Sequence, residues 1–322
     1  MPPDLVSIII AAHDNWPDLE LTIQSALHQS HEPIEVIVVD NDSSDATQKE
    51  VPQRFGDAVR YIRQANRGDA GAYNTGMGAA TGEFMQFLDG DDFLAPNKIE
   101  KQIAAFRADP EAEIVFGDTR QFQSMAGKAD WTDIDTRDYD DMLAAFLDPD
   151  GNGAGLMVQG ALFRRSTLER VGAWDESLYV ADIDYWFRAT WARCRFRYCP
   201  GSLWFYRIHP GQMSANQAAI ARGLEAAWEK ALGYITDEPY RSSLTMQLAR
   251  FSWHQAILRE DTTTRERLAR LAWARQLNRE AISLIAYLAG CGLIILPGGR
   301  LLARAPRLRW LRRGMTRLLG IR

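Results

Sequence analysis

The chain has 322 residues, with 37 Lys+Arg against 42 Asp+Glu, 46% hydrophobic residues and 10% aromatic ones. That length holds about two domain-sized units and a core that needs no disulfide staples, and the composition excludes general disorder, collagen-like repeats and a disulfide scaffold. The net charge of −5 argues against a whole-chain nucleic-acid binder but hides an asymmetry: residues 300–322 carry eight arginines and no acid, leaving 1–299 with 29 basic against 42 acidic residues, a balance of −13.

In chain order, Val6–Ala12 (VSIIIAA) is a short β-branched apolar run that predicts a buried parallel strand. Asn15 and Pro17 then open a helix in which Leu19, Ile23, Ala26 and Leu27 recur at helical spacing. A strand is expected at 35–39, a helix at Thr47–Phe55, a strand at 59–62, a small-residue helix at 69–80, a strand at 84–88 and a helix at 96–106. This alternation predicts a doubly wound, mostly parallel α/β sheet flanked by helices. Strand signal continues at 113–116, whereas 118–155 reads as largely irregular, with a helix at 140–147 and a Gly-rich loop at 151–155. Beyond lie a strand at 159–163, helices at 166–171 and 182–192, and two strands at 196–198 and 203–208; from about 217 the pattern is helical.

Ligands of such sheets bind outside the carboxyl ends of the strands, here 11–14, 40–45 and 89–92, and two of these are acidic clusters. Asp89-Gly90-Asp91-Asp92 spaces carboxylates so that they can converge on Mg2+ or Mn2+, with phosphate oxygens filling other positions. The alternative is an Asp-rich turn capping the next helix. At Asp40-Asn41-Asp42-Ser43-Ser44-Asp45 a carboxylate can accept the imide N–H of a uracil or a ribose hydroxyl, while Ser44 or Asp45 is placed to cap the following helix. The stretch from Asn66 through Gly76 (NRGDAGAYNTG) is dense in small residues, which allow close packing or bring helix N–H groups toward phosphate. It lacks G-x-G-x-x-G spacing and follows the third strand, which disfavours a dinucleotide site.

Taken together and in order, these segments resemble the family 2 glycosyltransferases, inverting enzymes of GT-A (Rossmann-like) fold that move a sugar from a nucleotide-diphosphate donor to an acceptor hydroxyl, usually with Mg2+ or Mn2+. The resemblance covers roughly residues 6–214. It implies a nucleotide-sugar-binding half at 1–95, an acceptor-binding half at 96–215 and a helical C-terminal region at 216–322. It also implies donor contacts from Ala11 and His13, which stand where relatives carry Pro and Tyr, from Asp40 on the base, from Asn66 and Gly68 of the Asn-Arg-Gly stretch, and from Asp89.

Phe87-Leu88-Asp89-Gly90-Asp91-Asp92 resembles the family's DxD motif, implying Asp91 as metal ligand and Asp89 on metal or ribose. Tyr206-Arg207-Ile208-His209 resembles a segment that closes the donor site, so that His209 completes the metal shell or touches the diphosphate. Asp182 matches the general base, although Ala181 replaces the usual Glu; Asp184 is a rival, and a helix N-cap is the structural alternative for Asp182. The implied donor is a UDP-sugar and the implied acceptor a saccharide or a lipid-linked one, in polysaccharide or glycolipid synthesis. A catalytically inactive GT-A-like protein that binds nucleotide sugar or a partner is the alternative. A nucleotidyltransferase would want a Gly-rich, Lys/Arg-bearing loop after the first strand, and 11–16 has none.

Residues 281–296 (AISLIAYLAGCGLIIL) are uncharged but number sixteen, short of the roughly 20 that span a bilayer. After Pro297-Gly298-Gly299, leucines interleave with the arginines of 300–322 and predict a cationic amphipathic helix lying on an anionic membrane surface. Otherwise this region packs on the enzyme or on a second subunit of a homo-oligomer. Three cysteines without metal-ligand spacing, and an N-terminus without a basic stretch ahead of an apolar one, lead to the expectation of a cytoplasmic chain, peripheral on the inner face of the membrane and with no nucleic-acid partner.

Overall fold

Seven consecutive uncharged residues, four of them Val or Ile, form β1 (Val6–Ala12), which is buried at every position because strands flank it on both sides. The computed structural model describes residues 4–125, 128–134, 139–147, 156–258 and 263–278; the expected loop at 151–155 and the segments 281–296 and 300–322 lie outside the described residues. After β1 come α1 (Asp18–Leu27), β2 (Ile34–Asn41), α2 (Thr47–Phe55), β3 (Arg60–Gln64), α3 (Gly68–Ala79), β4 (Phe84–Asp89), β5 (Phe93–Leu94) and α4 (Lys98–Ala108). The chain continues through β6 (Ile114–Met125), β7 (Lys128–Ile134), α5 (Met142–Phe146), β8 (Ala161–Arg164), α6 (Arg165–Val171), α7 (Ala181–Trp191) and β9 (Phe196–Arg207). The helices α8 (Gln217–Leu232), α9 (Tyr240–Leu258) and α10 (Thr264–Leu277) follow.

The described strands form one sheet in the order β3-β2-β1-β4-β8-β6-β9-β5, with β7 paired to β6 outside that path. β3, β2, β1 and β4 are mutually parallel, and β8 then pairs antiparallel with both β4 and β6. The chain leaves β1 toward β2 on one side and returns to β4 on the other, so the topological switch point, where ligands settle in open α/β sheets, lies at the carboxyl end of β1. Small residues let α3 lie close to the sheet: a Cβ on Gly76 would collide with the Ile9 side chain. Between sheet and helices the aromatic side chains of Phe87, Phe163, Trp174, Tyr185 and Trp186 interlock, with Trp174 and Tyr185 stacked at a centroid distance of 4.2 Å.

Two expectations need correction. Residues 118–125 are not irregular but continue β6, and 128–134 add the antiparallel β7. Their polar composition hides the strand, whose residues 118–122 pair with β9 far along the chain and whose 119–125 pair with the equally polar β7; packing in the sheet, not local propensity, makes it a strand. The two strands expected at 196–198 and 203–208 are one strand, β9. It passes the Pro200-Gly201 break through a register shift against Phe116 and Asp118, with Gly201 at φ +74°.

The chain clusters into two compact units, Met1–Asp140 with Ala154–Ala215, and Asp141–Gly153 with Asn216–Arg322. The described residues of the second are mostly helical. The Asn216 side chain accepts the Ala219 N–H at the start of α8, and Thr263 with Glu266 forms a reciprocal capping box at α10. Buried Glu225 accepts from the Ser252 hydroxyl and the Arg270 guanidinium, which ties α8 to α9 and α10. Among the described residues, no helix is long and apolar enough to cross a membrane.

Candidate active site

Pairing in register sets the site. Ala11 lies beside Asp89 and Ala12 beside Asp40, so the acidic ends of β2 and β4 stand two strand spacings apart, about 10 Å, across β1. Ala11 and Ala12 are buried at the end of β1, while His13 and Asp14 are exposed beyond it. Asp14 adopts a left-handed φ of 52° and accepts the Ser44 N–H at 2.6 Å, which joins the first two loops.

Asp40 differs from expectation. It is 0% exposed. Its Oδ1 accepts the Ser43 N–H at 2.8 Å, and its Oδ2 accepts the Tyr61 hydroxyl and lies 3.5 Å from the Arg63 guanidinium. A carboxylate so enclosed organises the 41–45 loop. The N-cap position of α2 is held by Ala46 and not by Ser44 or Asp45 as expected, although the Asp45 carboxylate accepts the Thr47 N–H at 2.9 Å.

The turn after β4 is held on several sides. A Cβ on Gly90 would lie 2.6 Å from Asn15 Oδ1 and 3.0 Å from the Ala11 carbonyl, so only glycine fits between the two aspartates. Thr22 donates to the Gly90 carbonyl at 3.0 Å. Arg207, at the end of β9, donates its backbone N–H to Asp92 Oδ1 at 2.9 Å and its Nε–H to the Asp91 carbonyl at 2.8 Å. The turn does not cap a helix, because β5 follows it directly. Asp91 Oδ2 lies 2.8 Å from His209 Nε2. Asp89 accepts from the Tyr73 hydroxyl at Oδ1 and from Gln159 Nε2, at 2.6 Å, at Oδ2.

Asn66 and Gly68 are both exposed at the start of α3, where Asn66 Oδ1 accepts the Gly68 N–H at 2.9 Å and Gly68 has φ +69°. Farther along α3, the Asn74 amide donates to the Trp174 carbonyl at 3.0 Å and accepts its N–H at 2.9 Å. Arg67 Nη1 lies 3.0 Å from Glu176. The small-residue helix is thus pinned to the segment that leads into α7.

Asp182 and Asp184 separate cleanly. Asp184 is buried and paired with Arg188 at 2.8 Å, whereas Asp182, two residues and about 200° away around the helix, is half-buried. Val180 holds the N-cap position of α7, so Asp182 is no cap; its Oδ1 accepts the N–H of the adjacent Ile183 at 2.9 Å.

The acids of this region share one field. Burial pushes the Asp89 carboxyl well up, and the charges of Asp69, Asp91 and Asp182 add to it against the Tyr73 hydrogen bond. Asp69 is exposed on α3 yet crowded by protein; it too is raised, first by that crowding and then by Asp91 and Asp182, with His13 opposing. Burial raises Asp182, against two backbone hydrogen bonds. Asp92 is raised by burial and by Asp91 and Asp89, and its buried Oδ2 has no hydrogen-bond partner. Carboxylates from α3, β4, the following turn and α7 therefore crowd one cleft.

This excess of oxygen donors fits a hard cation. Among the described residues no three ligating side chains stand within reach of one ion, but Mg2+ characteristically takes only one or two carboxylates besides phosphate oxygens and water. Tyr73, Gln159 and Asp69 carried no signal that set them apart in the sequence, and Arg207 stood out only as part of the segment ending at His209. Each acts through a partner distant along the chain.

The family model described as Glycosyl transferase family 2 matches residues 7–172. An uncharacterized glycosyltransferase of Rickettsia prowazekii is 32% identical over 247 residues, covering 73% of each chain. The UDP-Glc:α-D-GlcNAc-diphosphoundecaprenol β-1,3-glucosyltransferase WfaP of Escherichia coli is 29% identical over 220 residues, 66% of this chain and 81% of that one. Among solved structures, the mannosyltransferase PcManGT of Pyrobaculum calidifontis, in complex with GDP-Man and Mn2+, superposes with a TM-score of 0.58 at 20% identity, covering 94% of this chain and 83% of that one. The fold is GT-A, with helices following the sheet domain.

Proposed function

The chain belongs to glycosyl transferase family 2, and on that premise we propose that it moves a sugar from a nucleoside-diphosphate donor to an acceptor hydroxyl with inversion at the anomeric carbon. One observation carries the reading: strand register brings Asp89 to the switch point of the sheet beside Ala11, and the charge of Asp182 on α7 reaches Asp89 and Asp69 there. On this reading the base and the diphosphate site face one cleft.

Ala11, His13, Asn66, Gly68 and Asp89 border the donor, with Asp40 left to shape the loop behind them. Asp91, braced by His209 and backed by Asp89, would hold a Mg2+ or Mn2+ ion. When bound, such an ion offsets the charge that develops on the departing diphosphate. Asp182 accepts the proton of the acceptor hydroxyl as that oxygen attacks the sugar from the face opposite the diphosphate. Burial suits it to the task, since it raises the carboxyl toward the working pH. A single displacement turns an α-linked donor into a β-linked product.

WfaP is named for a UDP-Glc donor and an undecaprenyl-diphosphate-linked acceptor, which supports a UDP-sugar and a saccharide or lipid-linked acceptor here, in polysaccharide or glycolipid synthesis. The eight arginines of 300–322, unaccompanied by acid, would attract an anionic leaflet and bring the enzyme to such an acceptor; deleting them is expected to abolish binding to anionic liposomes.

A panel of UDP- and GDP-sugars, assayed with Mn2+ for binding and for the anomeric configuration of the product, tests the reading. Tight binding of one donor and an inverted product support it, and a retained configuration refutes the single displacement. Binding without turnover on any acceptor selects the inactive alternative.

A further inference from the structure

We infer that Gln159 is a positioning residue of the donor site, fixing the Asp89 carboxylate from a peptide that a buried lysine–glutamine tripod holds in place. The inference rests on the functional reading above and adds to it a part assigned to no residue so far.

Asp89 is gripped at both oxygens, by the Tyr73 hydroxyl at Oδ1 and by Gln159 Nε2 at Oδ2, 2.6 Å away. Each oxygen keeps a second acceptor site free. These two donors, from α3 and from the turn before β8, fix the direction of the carboxylate at the end of β4. Gln159 sits in the turn just before β8, and the carbonyls on either side of its peptide link to Gly160 are both held. Gln86 Nε2 donates to the Gln159 carbonyl at 2.8 Å, and Gln102 Nε2 donates to the Gly160 carbonyl at 2.8 Å.

Lys98 Nζ donates in turn to Gln86 Oε1 and to Gln102 Oε1, the latter at 2.7 Å. Lys98, Gln86 and Gln102 are all 0% exposed. A lysine buried without a carboxylate partner is costly, and burial depresses its ammonium well below the ordinary range. Such a network stabilises little over an apolar core but fixes one geometry. The residue held at its outer end, Gln159, donates to Asp89, which backs Asp91 at the donor site.

The test compares the full chain with Gln159→Met, which keeps the side-chain length and removes the donor, by calorimetric titration of UDP and of GDP with and without Mn2+. The variant is expected to lose about tenfold or more of the affinity that Mn2+ adds, while metal-free affinity stays within about twofold. Tyr73→Phe, which frees the other Asp89 oxygen, is expected to give the same selective loss and serves if Gln159→Met fails to fold. In an Asp89→Asn background, Gln159→Met is expected to change nothing further.

Equal loss of metal-free and Mn2+-supported affinity would mark Gln159 as merely structural and overturn the inference. So would a wild-type chain without any Mn2+ increment, or an increment that both variants leave intact. A wild-type chain that binds neither nucleotide under either condition overturns the functional reading, and this inference with it; binding that the substitutions do not touch overturns this inference alone.

Discussion

The two rims of the sheet treat their acids in opposite ways. Where β1, β2 and β4 begin, the half-buried Glu35 carboxylate accepts from the Ser7 hydroxyl at 2.5 Å, from the Thr81 N–H and hydroxyl at 2.6 and 2.9 Å, and from the Gly82 N–H at 3.1 Å. Burial alone would push that carboxyl up, but these donors together bring it below its ordinary value. At the opposite rim, Asp89, Asp69 and Asp182 are pushed up, because burial and, for Asp89 and Asp69, neighbouring carboxylates outweigh the donors they have. An acid that serves the fold is held ionised by donors that the fold supplies. Acids left repelling one another mark the place where a guest supplies the missing positive charge.

The largest expected effect, and so the first way to break the comparison, is Asp182→Asn. Loss of the base should lower turnover by about 10^3-fold with nucleotide binding unchanged. Because burial raises this carboxyl, the folded chain binds its proton more tightly than the unfolded chain does, and the ionised form costs stability at every pH above the folded value. A neutral amide removes that cost, so thermal melts at pH 7 should show an unchanged or higher Tm. A fall in Tm alongside activity would place Asp182 with the structural acids. For the same reason, wild-type turnover should decline as pH drops through the raised carboxyl, because a protonated base accepts nothing.

Asp91→Asn comes next. Mn2+ titration of activity should show about 100-fold weaker response to the ion, with metal-free nucleotide binding preserved. Full wild-type turnover in excess chelator would contradict the role given to this rim. The smallest effect belongs to the other rim. Glu35→Gln should leave transfer intact and destabilise the fold by about 2 kcal/mol at neutral pH, the typical worth of hydrogen bonds to a charged acceptor. The lowered Glu35 carboxyl contributes stability above its unfolded value and loses it as pH falls through its folded value. Urea titrations of wild type and variant should therefore converge toward acid, and a gap that persists there would show that shape, rather than charge, matters at Glu35.

Much of this was legible residue by residue. β1 and α2 fall where apolar runs and turn signals put them, since their neighbours in space are set by the same local pattern. The polar half of β6 was not legible, because neither it nor its hairpin partner β7 carries an apolar alternation, and its other partner, β9, lies about 80 residues later. Within the site, the acidic ends at Asp40 and at Asp89–Asp91 could be read as clusters, yet not which member faces the cleft. Asp40 is taken up by Tyr61 and Ser43, and Asp184 by Arg188, while Asp182 remains half-buried at the cleft.

The sequence by itself determined the alternation of strands and helices, the family and the acidic character of the strand ends, all of which are local in the chain. Tertiary structure decided which carboxylates are spent on the fold and which remain for a guest. That choice depends on helix phase, on burial and on donors such as Tyr73 and Gln159, brought to Asp89 from 16 and 70 positions away along the chain.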